Sequence, residues 1–256
     1  MPPAFAGIPI APVNAKPLNI KALIYGRPGA GKTTLAGSAI DCQAMMPMLY
    51  MTPDQAEADT LRQVAPSASH MIVTKFQQFF DVRDELAKQS YNTPDGPFFK
   101  TVVVDTGTEA EKLSMREIMD YLVKNGRPGG GDVDADVPSV REWGKSISQM
   151  RRMIRGFRDL PINFIMCCHE TEKRDNKGVD WRRPDLPGKL SNQVAGMFST
   201  VLYIYIKTEK EGKTSRERRL VLTGLTEGYV AKSRVGALPQ IMEEPTMSQL
   251  HKLITA

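Results

Sequence analysis

The stretch Lys21 to Leu35, KALIYGRPGAGKTTL, constrains this chain more than any other. Gly26, four residues, then Gly31-Lys32-Thr33 form a complete phosphate-cradling loop motif. Ile20 to Tyr25 supply the apolar strand that must precede it, and Thr34 to Ile40 have the composition of a following helix. In strand–loop–helix register, the loop amides and the helix start both face an anion, so a polyphosphate is the expected ligand. The cradle is Gly26, Arg27, Pro28, Gly29, Ala30, Gly31, Lys32, Thr33 and Thr34. Lys32 is placed to reach the β- and γ-phosphates, and the Thr33 hydroxyl to complete one Mg²⁺ position.

The chain around this loop has 256 residues, enough for one substantial α/β core. Strand-like runs alternate with helix-like ones. Met48–Met51, His70–Thr74, Phe99–Val104, Ile162–Cys168 and Thr200–Ile206 read as buried strands. Between them, Ala56–Val64, Phe76–Gln89, Glu109–Val123 and Val140–Leu160 read as helices, the last with Trp143, Ile147, Met150 and Ile154 as its buried stripe. Such alternation predicts a largely parallel sheet covered on both faces. The glycine-rich segment 125–139 is a predicted loop. Residues 1–17 read as an irregular arm, 18–240 as the domain, and 241–256 as a short helix or tail. No run of 18 apolar residues suggests a membrane span, and the N-terminus lacks the form of a signal peptide. The cysteines Cys42, Cys167 and Cys168 have no metal-ligand spacing; the adjacent pair reads as buried thiols, which suits a reducing cytoplasm. The net charge of +5 permits a polyanionic partner without requiring one.

Further candidates follow from strand ends. Thr101–Asp105, TVVVD, places a carboxylate where it would hold Mg²⁺ from across the loop, so Thr33 and Asp105 are the expected metal pair. Hydrolysis needs a carboxylate to orient water. No Glu follows Asp105 directly, which leaves Asp54, Glu109 and Glu170 as candidates. His169, at the end of FIMCC, is placed to sense a γ-phosphate. Lys173, Arg174, Lys177, Arg182, Arg183 and Lys189, with Trp181 among them, occupy one polar stretch that reads as an irregular loop. Cations there suit phosphates and the indole suits an unpaired base; a solvated lid over the nucleotide is the alternative.

Together, YGRPGAGKTTLA, the VVVD strand, the helix starting at WG, the strand ending in CCHE and GYVAKSRVGALP resemble the RecA-type P-loop ATPases. Within that group the chain is similar to small phage nucleotide-binding proteins associated with recombination and single-strand annealing. The resemblance implies a three-layer RecA-like fold, ATP and Mg²⁺ as cofactors, and ATP hydrolysis. It implies single-stranded DNA as partner, a homo-oligomeric ring or filament, a single-strand-binding protein as a further partner, and the cytoplasm of a phage-infected or lysogenic host. It also implies that Lys232 and Arg234 act in trans at a neighbour's ATP site, and that the sensor strand lies between the loop strand and the Asp105 strand. The group's catalytic Glu falls at Asp54, a departure that leaves open both its competence and a rival reading. In that rival the protein is a nucleotide-binding switch or scaffold with no DNA of its own.

Overall fold

A computed structural model of the chain describes residues 4–5, 8–9 and 19–255, apart from 54, 56, 93–95, 177, 212–213 and 235–237. At the start, β1 (Ala4–Phe5) and β2 (Ile8–Pro9) pair with each other; the rest of the expected arm lies outside the described residues. The chain then runs β3 (Lys21–Gly26), α1 (Lys32–Gly37), β4 (Met48–Thr52), α2 (Glu57–Val64), β5 (Ser69–Ile72), α3 (Gln77–Asn92), β6 (Thr101–Asp105) and α4 (Gly107–Asn125). It continues α5 (Val140–Arg158), β7 (Asn163–Arg174), β8 (Asp180–Pro184), α6 (Leu190–Met197), β9 (Thr200–Glu211), β10 (Thr214–Leu222), β11 (Lys232–Ser233), β12 (Ile241–Glu243) and α7 (Met247–Thr255).

These strands form one mixed sheet in the order β12-β10-β9-β3-β7-β6-β4-β5, with β11 on β9 and β8 on β7. The six strands from β9 to β5 in that order are parallel; β8, β10, β11 and β12 join antiparallel. Parallel strands are covered on both faces, so their residues alternate between two cores. Leu23 and Tyr25 of β3 face a cluster with Phe79 of α3, Ala110 of α4, Met150 and Phe157 of α5, and Val194 of α6. Ala22 and Ile24 face the other, with Leu35 of α1, Leu61 of α2 and Leu250 of α7. The result is the three-layer α/β fold of a P-loop NTPase. As expected, β7 lies between β3 and β6.

Two expectations change, and a third is made more definite. The stretch after Glu170 is an ordered β-hairpin: β7 runs on to Arg174, and β8 pairs back with Glu172 opposite Arg182 and Lys173 opposite Trp181. Trp143 is 39% exposed and lies outside the buried stripe that Met150 and Ile154 form on α5. The expected C-terminal helix does form. It is seated rather than trailing: β12 pairs with β10, and Met247, Leu250 and Ile254 are buried. No helix of the described residues is long and apolar enough to cross a membrane.

Candidate phosphate-binding site

The loop between β3 and α1 turns on two glycines with positive φ, Gly29 at 77° and Gly31 at 94°, where a side chain is strained. Gly26 is needed for a different reason: a Cβ there would come within 2.2 Å of the Ile204 carbonyl oxygen on β9. Lys32 is 6% exposed and donates to the carbonyls of Gly26 at 3.1 Å and Arg27 at 3.0 Å, so its ammonium sits inside the loop's curl. Pro28, Gly29, Gly31, Lys32, Thr33, Thr34, Thr60 and His169 line a cleft of about 270 Å³.

Sheet register brings the two expected metal residues together. Asp105 ends β6, two strands from β3, and is fully buried. Its Oδ2 accepts from the Thr33 hydroxyl at 2.8 Å and from the Tyr50 hydroxyl at 2.7 Å. Its Oδ1 is buried with no hydrogen-bond partner. An unsatisfied buried carboxylate oxygen is costly, and it marks a place where a hydrated cation fits. Among the described residues no cluster of three or more His, Cys, Asp or Glu forms a metal cage. Mg²⁺ needs no such cage, since it binds through one or two protein ligands, water and phosphate oxygens.

His169 reaches the same cleft. Its backbone is fixed by Thr108 Oγ1, which accepts its N–H at 3.1 Å, and by Asp185, whose N–H donates to its carbonyl at 2.8 Å. Its Nδ1 is buried without a partner. Burial first, and then the Lys32 ammonium, hold its imidazole below the usual range, so it is neutral at pH 7.

The carboxylate candidates separate. Glu109 Oε1 accepts from Lys112 at 2.7 Å. Glu170 is not among the residues that line the cleft. Its Oε1 takes Arg27 Nε at 3.0 Å and lies 3.7 Å from Arg182 Nε, while its Oε2 is buried and unpaired. Asp54 lies outside the described residues. Its strand, β4, ends at Thr52 beside β6.

The polar stretch behaves differently from the sequence expectation of an open cationic loop. Arg174 is paired with Asp180, Arg182 faces Glu170 and Glu172, and Arg182 Nη1 donates to the Tyr229 hydroxyl at 2.9 Å. Arg183 donates to Asn192 at 2.6 Å, and Trp181 Nε1 donates to Asp175 at 3.0 Å. Lys173 and Lys189 are exposed, and Lys177 lies outside the described residues. Arg174 and Arg182 are thus ion-paired within the hairpin.

Lys232 and Arg234 sit far from their own loop. Lys232 pairs with Val201, and the Arg234 N–H donates to Ser199, both at the start of β9. β9 runs parallel to β3 with Thr200 level with Ala22, so Gly26 is four residues further along. At about 3.3 Å per residue, that is about 13 Å from the level of the cation pair to the end of β3.

Two residues at the site are not assigned to it by the sequence. Tyr50 was hidden in the apolar run MLYMT, where only its hydroxyl's register beside Asp105 distinguishes it. Arg219, on β10, packs against Gly31. Nothing local in RERRL separates it from its neighbours.

The family described as "AAA domain" matches residues 18–235 of the chain. A comparison with curated proteins gave no match. Among solved structures, the chain is similar to the flagellar accessory protein FlaH from Methanocaldococcus jannaschii. The identity there is 10%, the TM-score 0.43, and the coverage 92% of this chain and 90% of that one. It is also similar to a DnaB-like replicative helicase described with its interactions with primase, at 13% identity and TM-score 0.47. That match covers 88% of this chain and 56% of the helicase chain.

Proposed function

The chain belongs to the AAA domain family, a premise that makes it a nucleotide-binding P-loop ATPase module, and from it we propose a MgATP-driven switch. The observation that carries this reading is the Thr33–Asp105–Tyr50 node, with one buried carboxylate oxygen still free beside the loop that encloses Lys32. Loop amides from Gly29 to Thr33 bind the triphosphate, and Lys32 neutralises its β- and γ-oxygens. Thr33 and Asp105 hold Mg²⁺, which when bound draws charge from the phosphoryl oxygens. The reaction is ATP and water to ADP and phosphate. Asp54 orients the water, since Glu109 and Glu170 are engaged elsewhere. Neutral His169 donates to or accepts from the γ-phosphate and shifts when it leaves. That shift reaches the β7–β8 hairpin, because His169 and Glu170 lie on the strand that continues into it.

Asp54→Asn tests the hydrolytic assignment. It is expected to keep MgATP affinity and to lower phosphate release at least about 100-fold, as loss of a general base does. Turnover equal to the wild type would remove Asp54 from the mechanism.

A second reading keeps the RecA-like, phage-type role, in which the switch governs single-stranded DNA binding. It is supported by the continuity of β7 from His169 into the hairpin and by the exposed Lys173 and Lys189. It is weakened by the ion pairs that occupy Arg174 and Arg182. The double charge reversal Arg182→Glu and Arg183→Glu decides it. If DNA binds there, oligo-dT affinity in the presence of ATP falls by at least about tenfold and its salt dependence flattens. Absence of oligo-dT binding by the wild type at low salt leaves the switch without DNA. Lys232 and Arg234, about 13 Å along the sheet from their own loop level, are assigned to a neighbour's site, where trans cations stabilise transferring charge.

A further inference from the structure

Arg219 sits where a side chain at Gly31 would be. A Cβ at Gly31 would lie 2.3 Å from Arg219 Nε and 2.8 Å from its Cζ, so the guanidinium packs against the phosphate loop at this glycine. The position is built from β10, whose pairing puts Arg219 opposite Ile206 and Leu220 opposite Glu243. Glu244 then clamps it on three sides. The Glu244 carboxylate accepts the Arg219 backbone N–H at 2.6 Å and lies 3.3 Å from Nη1, while the Glu244 N–H donates to the Arg219 carbonyl at 2.8 Å. Glu244 adopts φ of 45° to do so, an uncommon conformation for a residue with a side chain.

This clamp leaves one part of the guanidinium unused. Nε is buried and has no hydrogen-bond partner, although the side chain as a whole is 28% exposed. A guanidinium edge made of Nε and one Nη is the donor pair that grips a phosphate or carboxylate through two parallel bonds. Asp105, the acid of the metal node, accepts from Thr33 and Tyr50 through Oδ2, and its Oδ1 makes no hydrogen bond to Arg219. The anion that the loop itself collects is the remaining partner.

We propose that Arg219 is a positioning residue supplied in cis, which contacts the α- or β-phosphate of the bound nucleotide. The inference rests on the nucleotide-binding reading above. Loop amides cradle the α- and β-phosphates, whereas the lysine reaches the β- and γ-phosphates. Arg219 touches the loop at Gly31, one of the glycines whose backbone lines the cleft. The arginine therefore steadies the part of the nucleotide that ADP and ATP share, and it stays engaged after hydrolysis.

Calorimetric titration of the full chain with ADP and with MgATP tests this, using Arg219→Met and Arg219→Lys. Met keeps the stem without charge, and Lys keeps the charge without the fork. Arg219→Met is expected to weaken both nucleotides by about tenfold, the scale of one charge-assisted hydrogen bond, with Arg219→Lys recovering only part of that loss, since it keeps the charge but not the fork. A methionine variant that binds ADP as the wild type does would overturn the proposal. So would lysine and methionine variants that are equally weak, because a packing role does not depend on charge. Should Arg219→Met not fold, Arg219→Gln carries the same expectation. A wild-type chain that binds neither nucleotide fails the parent reading instead, and is told apart by that result alone.

Discussion

ATP and ADP affinity is expected to fall at least about 100-fold in Lys32→Ala, with turnover lost below detection. The Lys32 side chain is nearly buried, and its ammonium donates to the Gly26 and Arg27 carbonyls. Charged hydrogen bonds contribute about 1.5–3 kcal/mol each, and 1.4 kcal/mol is a factor of ten, so losing two phosphate contacts gives that scale. Removing the ammonium also leaves two loop carbonyls without their donor. The variant's loop is therefore expected to be less protected in hydrogen exchange even without nucleotide. Binding within threefold of the wild type, measured by calorimetry, would show that phosphate is held elsewhere.

Asp105→Asn should separate stability from function with opposite signs. The wild-type carboxylate is fully buried with two donors on Oδ2 and none on Oδ1. Without metal, that is a buried charge incompletely compensated, which costs stability. An amide removes the charge while keeping an oxygen for Thr33 and Tyr50. The nucleotide-free variant is thus expected to melt a few degrees above the wild type, about 1 kcal/mol for a domain of this size. In the same variant, the extra stabilisation that Mg²⁺ adds to bound ATP should vanish, and phosphate release should drop at least about 100-fold. Thermal melts with and without Mg²⁺ and ATP read both effects. A variant whose ATP-bound melt still rises with Mg²⁺ would take Asp105 out of the metal site.

Which parts of this were legible in the sequence follows from where each signal is encoded. The loop and Asp105 were readable because both are tied to strand ends, and parallel strands of one sheet finish at a common edge. The two cores were readable because uninterrupted apolar strands such as TVVVD and FIMCC must be covered twice. The hairpin after Glu170 was missed because its glycine and charges outweighed its pairing signal. That signal is present in hindsight: Glu172 faces Arg182 across the ladder, and Arg174 lies opposite Asp180. Cross-strand charge complementarity is long-range information, which local composition does not weigh. Trp143 failed for a related reason. Helical spacing identifies a stripe, but not how far the neighbouring elements extend along it, and this residue begins the second turn after the Ser139 cap. Tyr50 and Arg219 depend on distances between strands far apart in the chain, which periodicity does not carry.

The placement of Lys232 and Arg234 at the start of β9, with the glycine loop at the finish of β3, gives each molecule two unlike poles. A contact that presents one molecule's cations to the next molecule's phosphates joins different surfaces. Where no two-fold axis makes it reciprocal, it is left open at both ends of a pair and recruits a third copy. The rotation per step then decides between closure into a ring and continuation as a helical fibre.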